Sequence, residues 1–294
     1  MTDHAERPTA ASTAAPAAAG PIGVFDSGLG GLSVLREIRR LLPAESVLYL
    51  ADQGHVPYAP RPAGEVAGFA EAITRGLLAA GAKIVVVACH TASVAALGDL
   101  RRRFPGVPFV GMDPAIKPAI AATRSGRIGV LATAGTFRSG RYASLVREHA
   151  HGYTVIDCPC PGLVERIEAG LGDSIETAEL LRGCLEPLRA QGVDTLVLGC
   201  THFPLIRETI QRVTGPAITL VDPAPAVARQ VGRLLAAGGL SAPAAGPSPT
   251  LRLVTTGDGR RLGELAGRLL DGQSSNAAVV EACPWPADGA ALRL

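Results

Sequence analysis

The chain has 294 residues, 47% hydrophobic and 18% charged, with a formal net charge of +2. That length holds a real core in one large domain or two ordinary ones. No basic block stands out, since Arg101-Arg102-Arg103 is short and ends a helical pattern, which argues against nucleic acid as the main partner. No apolar stretch is long enough to span a bilayer, so no membrane partner is expected.

Residues 1–20 are rich in Ala, Pro and Thr and carry Asp3, Glu6 and Arg7. They lack the apolar run of a secretory signal and read as a disordered N-terminal tail. Order is expected from Pro21. Ile22 to Phe25 is a short strand, Asp26-Ser-Gly-Leu-Gly-Gly31 a turn, and Leu32 to Leu42 an amphipathic helix stopped at Pro43. Ser46 to Leu50 is a second strand, followed by a loop that contains Val56-Pro57-Tyr58-Ala59. Glu65 to Ala80 is a helix, Lys83 to Ala88 a third strand, and Thr91 to Phe104 a helix. This alternation predicts a parallel sheet with crossover helices.

A second set begins near Val107. Arg127 to Thr133 is a strand, a helix follows around Ser139 to His149, and Thr154 to Asp157 is a strand. Gly162 to Ala169 and Ser174 to Gln191 are helices, and Thr195 to Leu198 is a strand. From Ile218 the chain gives strand, turn and helix. After a Pro/Ala/Ser-rich connection, Leu251 opens a strand that runs into a turn.

Two cysteines carry the chemistry. Cys89 follows the buried-looking run Ile84-Val-Val-Val87, and Cys200 follows Thr195-Leu-Val-Leu198. Open α/β sheets place ligands at strand carboxyl ends. Each thiol is followed by polar partners, His90-Thr91 and Thr201-His202, and a helix amino terminus stabilises a thiolate. The matched settings, 111 residues apart, suggest two lobes with the thiols facing across a cleft. Burial alone would also account for either cysteine, because free Cys is among the most buried residue types.

Other motifs weigh less. Asp26-Ser-Gly-Leu-Gly-Gly31 lacks the third glycine of a dinucleotide fingerprint, Ser33 standing in its place. Its helix-start amides suit a small anion such as a carboxylate. Cys158, Cys160 and Cys89-His90 lack zinc-site spacing, so no metal is expected. Six cysteines without a dense framework point to reduced thiols and a cytoplasmic location. Tyr58 sits in a loop, where binding residues concentrate. Glu168 lies on a helix, and Cys184 and Cys283 read as structural.

Taken together, several segments resemble glutamate racemases of the cofactor-independent aspartate/glutamate racemase superfamily. They are IGVFDSGLGGLSVLREIRRLLP, YLADQGHVPYAPR, IVVVACHTASVAAL, IGVLATAGTFRSGRY, LVERIEAG, LVLGCTHFPLI, LVDPAPAVA and VTTGD, in family order from about 22 to 258. The resemblance implies an α/β fold of two similar parallel-sheet lobes related by pseudo-two-fold symmetry, with the active site between them. The first lobe would comprise 21–113 plus 222–272, the second 114–221, and 273–294 would be a C-terminal tail.

The resemblance further implies that Cys89 and Cys200 are the acid/base pair, Cys89 deprotonating D-glutamate and Cys200 the L form. Asp26 would assist Cys89 and His202 would assist Cys200, with Asp52 and Glu168 as polar neighbours. Substrate contacts would fall to Asp26, Ser27, Tyr58, Ala59, His90, Thr91, Thr201 and His202. No cofactor is implied, and neither Lys83 nor Lys117 lies where a Schiff-base lysine would be expected. The product, D-glutamate, feeds peptidoglycan synthesis. Oligomeric state stays open, with a homodimer among the compatible assemblies.

The chain departs from the family at His90, where Asn is usual, at Ala59 for Gly, at Pro60 and Pro223 for Ser, and at Asp113 for Glu. These departures bear on the substrate, and an aspartate or other amino-acid racemase is the closest rival. An inactive small-anion-binding regulator and a one-cysteine thiol hydrolase are the rivals from other classes.

Overall fold

The computed structural model describes residues 18–243, 247–270, 278–286 and 292–294. The tail expected at 1–20 lies outside the described residues through position 17.

The β-branched runs form two sheets. In one sheet they are β1 (Ile22–Asp26), β2 (Val47–Ala51), β3 (Ile84–Val87) and β4 (Phe109–Val110). In the other they are β5 (Arg127–Ala132), β6 (Thr154–Pro159), β7 (Thr195–Gly199) and β8 (Thr219–Val221). Strands β1 to β4 and β7 are buried along their whole length, as strands covered by helices on both faces must be. Strand β5 is buried beyond Arg127, and the edge strands β6 and β8 are partly exposed. Two later strands, β9 (Leu251–Thr255) and β10 (Ala278–Ala282), extend the first sheet. The orders are β10-β9-β2-β1-β3-β4 and β6-β5-β7-β8. Every ladder is parallel.

The second order repeats the 2-1-3-4 arrangement of the first four strands. The opening strands repeat in sequence as well, Ile22-Gly-Val-Phe-Asp-Ser27 against Ile128-Gly-Val-Leu-Ala-Thr133. Their glycines have one purpose in common. A Cβ at Gly23 would lie 2.9 Å from that of Ala82, and one at Gly129 would lie 2.7 Å from Leu188 Cδ1. The added Cβ at Gly23 would also lie 3.4 Å from that of Leu77, in the helix just before Ala82, so in each lobe a helix packs closely on the first strand. The fold is thus a two-lobed α/β architecture of parallel sheets.

One face of the first sheet carries α1 (Leu32–Leu41), α10 (Ala224–Ala237) and α11 (Gly259–Leu269); the other carries α2 (Ala63–Ala79) and α3 (His90–Arg103). The second sheet is covered by α4 (Ile116–Ala122) and α6 (Gly140–His149) on one side. On its other side lie α7 (Leu163–Glu168), α8 (Ile175–Ala190) and α9 (Arg207–Thr214). A short α5 (Ala134–Phe137) follows β5. The chain crosses between lobes after β4 and again after β8.

Helix limits fall within a residue or two of the sequence expectation. Elements without a counterpart there are β4, α4, α9, α11 and the edge strand β10, which adds residues 278–282 of the C-terminal tail to the first sheet. Lys83 is buried, with Nζ 2.6 Å from Glu45 and donating to Ala18 O at 2.7 Å. It sits at the amino end of β3, roughly 20 Å along the strand direction from Cys89 at 3.3 Å per residue.

Candidate active site

In a 2-1-3-4 sheet the chain turns outward in opposite directions after the first and third strands, leaving a crevice at their carboxyl ends. In the first lobe these ends deliver Asp26-Ser27 and Cys89; in the second they deliver Thr133 and Cys200. Both crevices open onto one cavity. It is lined by Ser27, Pro57, Tyr58, Ala59, Cys89, His90, Thr91, Thr133, Val164, Gly199, Cys200, Thr201 and His202. The two thiols, buried and free, thus share a single pocket.

The two sides differ in charge. On the first side, Cys89 caps α3 and its Sγ lies 3.7 Å from Ser27 Oγ. Burial raises its pKa, as does the Asp26 carboxylate; the Ala92 amide and Ser27 oppose this. Asp26 is itself fully buried, and that burial lifts its pKa to about 6 against the lowering pull of His202 and the Gly31 amide.

On the second side, Cys200 Sγ lies 3.7 Å from His202 Nδ1, and His202 Nε2 lies 2.6 Å from Glu168 Oε1. Burial disfavours the imidazolium. The bonds to Cys200 and Glu168 outweigh it and hold the His202 pKa well above its ordinary value. Glu168 is held below its ordinary value: burial works against this, but the His202 bond and charge and the Leu29 amide prevail. The result is a buried His202–Glu168 ion pair facing one thiol and a buried carboxylate facing the other.

The glycine turn explains how the sides meet. A Cβ at Gly30 would fall 2.5 Å from His202 Nδ1 and 2.6 Å from Thr201 Oγ1, so only glycine lets the lobes approach here. The amides are engaged within the chain. Gly28 and Gly31 donate to Asp26 Oδ2 at 3.2 and 2.9 Å, and Leu29 donates across the cleft to Glu168 at 2.6 Å. This corrects the reading of the turn as an anion cradle: these three amides serve the protein's own carboxylates. Further bonds cross between the lobes. Thr201 Oγ1 donates to Asp26 Oδ1 at 3.3 Å, Ser33 Oγ to Thr201 O at 3.1 Å, and Arg141 grips Asp113 through two bonds of 3.1 and 2.6 Å.

The remaining expected residues divide into two groups. Tyr58, Ala59, His90 and Thr91 line the cavity. His90 is buried and neither ring nitrogen has a hydrogen-bond partner; burial drops its pKa to about 4 although Asp113 pulls the other way, so it is neutral at physiological pH. Asp52 does not line the cavity. Its buried carboxylate accepts from Tyr58 Oη at 2.6 Å, Thr256 Oγ1 at 2.7 Å and Trp285 Nε1 at 2.6 Å, with His55 Nδ1 at 3.0 Å. It holds the wall that Tyr58 forms. Pro57, Thr133 and Val164 line the cavity without having been singled out from sequence. The repeat Ile128-Gly-Val-Leu-Ala-Thr133 was the available signal for Thr133, which occupies the position of Ser27.

The cavity holds about 20 Å³ of free space. That is room for little more than one water-sized sphere, ~10–15 Å³. A bound amino acid needs more room than this.

Among the described residues no group of three or more His, Cys, Asp or Glu side chains is arranged to hold a metal, and no helix is long and apolar enough to cross a membrane.

Comparison with known proteins agrees with this geometry. A glutamate racemase of Ectopseudomonas mendocina (strain ymp) is 51% identical over 254 residues, covering 86% of this chain and 96% of that protein. One from Roseiflexus sp. (strain RS-1) is 51% identical over 249 residues, 85% of this chain and 92% of that protein. Glutamate racemase isoform RacE1 from Bacillus anthracis superposes with a TM-score of 0.79 at 34% identity, covering 89% of this chain and 97% of that one. Escherichia coli glutamate racemase, solved with L-glutamate and the activator UDP-MurNAc-ala, gives 0.77 at 32%, covering 90% and 98%. The family model for Asp/Glu/Hydantoin racemases matches residues 22–231, which takes in both cysteines and the strands that carry them. The chain belongs to the Asp/Glu/Hydantoin racemase family.

Proposed function

We propose that this protein is a glutamate racemase that interconverts L- and D-glutamate with two cysteines and no cofactor, acting in the cytoplasm to supply D-glutamate for peptidoglycan. The observation that carries the reading is the pair of thiols at equivalent strand ends, opening on one cavity from opposite lobes. The choice of glutamate follows the relatives at about half identity over most of the chain.

One thiolate removes the α-proton, and the C–H electron pair passes into the carboxylate-stabilised carbanion. The opposite thiol then donates its proton to the other face, so the centre inverts and no net oxidation occurs. Cys200, 3.7 Å from His202 Nδ1, is the thiol that takes the proton of L-glutamate. Cys89 beside Asp26 is kept protonated to complete D-glutamate, and the roles exchange in reverse. The α-proton is weakly acidic, so charge developing on the substrate carboxylate needs oriented donors in a water-poor site. Ser27, Thr91 and Thr201 supply hydroxyls there.

The test is solvent-deuterium exchange at the α-carbon of L- and D-glutamate followed by NMR, with loss of circular dichroism measured in parallel and aspartate run alongside. Exchange and racemisation of both glutamate enantiomers are expected. Exchange with aspartate alone would move the protein to the sibling activity, and no exchange with any amino acid leaves an anion binder.

A further inference from the structure

The chain contains a single tryptophan. Trp285 lies beyond residue 231, where the family match ends. It follows β10, after Cys283 N has bonded Thr255 O at 2.7 Å. Leu292 is buried against the first lobe and Leu294 packs beside it, both against α2. Residues 278–286 and 292–294 are therefore laid over the first lobe, and Trp285 reaches the carboxylate of Asp52.

Its indole Nε1 donates to Asp52 Oδ1 at 2.6 Å. Asp52 closes β2 with no exposed surface, and its other oxygen accepts from Tyr58 Oη at 2.6 Å. Around this carboxylate, the Trp285 ring meets His55 edge-on at 4.9 Å and Phe69 at 5.7 Å. Phe69 stacks on His55 at 3.9 Å and lies 5.7 Å from Tyr58. Tyr58 spends its hydroxyl on Asp52 and presents the rest of its side chain to the cavity. A buried carboxylate is placed by its donors, and a charge-assisted bond is among the stronger ones.

We infer that Trp285 is a positioning residue for the substrate cleft. Through Asp52 it fixes the Pro57–Ala59 wall, so the C-terminal segment sets how tightly the amino acid is held. The inference rests on the racemase reading and deepens it. Trp285 touches neither thiol, so its effect falls on binding rather than on proton transfer.

Trp285→Phe keeps an aromatic ring, though a smaller one, and removes the N–H. The expected result is a KM for both glutamate enantiomers raised about 5- to 10-fold, the order expected for losing one such bond, with kcat within about twofold. Tyr58→Phe should do the same, and the double variant should be no worse than Tyr58→Phe alone, because the two act through one carboxylate. In the unmodified protein, emission from this lone tryptophan should change on titration with glutamate and saturate near KM. That second measurement stands even where a variant fails to fold. An unchanged KM in Trp285→Phe, additive effects in the double variant, or an emission spectrum indifferent to glutamate would each overturn the role of Trp285 while the wild type remains an active racemase. Inactive wild type defeats the racemase reading instead.

Discussion

Cys89 and Cys200 end equivalent strands of two sheets with the same strand order, yet their surroundings carry opposite charge. The first thiol faces a buried carboxylate, Asp26; the second faces a buried imidazolium backed by Glu168. A duplicated scaffold thus holds an unduplicated electrostatic arrangement. In the proposed mechanism, symmetric placement would give access to both faces of one carbon, and the asymmetry would set the two thiols apart.

The sharpest test of that comparison removes each thiol in turn. Cys89→Ser and Cys200→Ser should each lower kcat by about 10²–10⁴, the usual worth of a general acid or base, with circular dichroism of the fold unchanged. Full activity in either variant would end the two-thiol mechanism.

Next come the helpers. Asp26→Asn and His202→Asn should each cost about 10- to 100-fold in kcat/KM, less than the thiols they assist. Enantiomers have equal free energy, so kcat/KM must fall equally in both directions for any variant. The asymmetry is read in kcat, which His202→Asn should lower more for L→D and Asp26→Asn more for D→L. The two variants should also part in stability. The Asp26 pKa is raised from 3.8 to about 6 by burial. The folded chain therefore binds this proton more tightly than the unfolded one, a penalty fully present above pH 6 and relieved as pH falls toward 4. It is on the order of 3 kcal/mol at neutral pH. Asp26→Asn should accordingly keep or raise Tm even as activity drops.

The same group sets an acid limit. With Asp26 ionised in the working form, log kcat/KM should decline as pH falls through about 6, and Asp26→Asn should lose that limb. A limb unmoved by the substitution would assign it to another group. The smallest effect is expected at His90. Its ring nitrogens have no partner in a nearly filled cavity. His90→Asn should lower the glutamate KM by about threefold, the scale of one hydrogen-bond adjustment. A rise would mean that the imidazole makes a substrate bond that Asn cannot replace.

Much of this site was legible because its signals are local. A β-branched run ending in Cys marks both a buried strand and its functional end, and FDSGLGG announces a tight strand-to-helix turn. The reason for those glycines was not legible. It lies in Thr201, His202 and Glu168, more than a hundred residues away and on the other lobe. Asp52 was read as a polar neighbour of the site; the structure places it behind Tyr58, and its partners Thr256 and Trp285 are 204 and 233 residues distant. The strand that brings Trp285 into place, β10, is a short edge element whose pairing with β9 carries no local pattern of its own.

The narrow cavity has a kinetic consequence. The bonds that latch the lobes, Leu29 to Glu168 and Thr201 to Asp26, involve the same side chains that tune the two thiols. The proposed chemistry would be fully assembled only while these bonds hold, and product release is expected to break them. Lobe opening of this kind is a collective motion through solvent, commonly on the μs–ms scale, and often limits turnover. Added viscogen should then slow kcat in proportion to solvent drag, and weakening the latch at Ser33, which donates to Thr201 O from outside the cavity, should blunt that dependence.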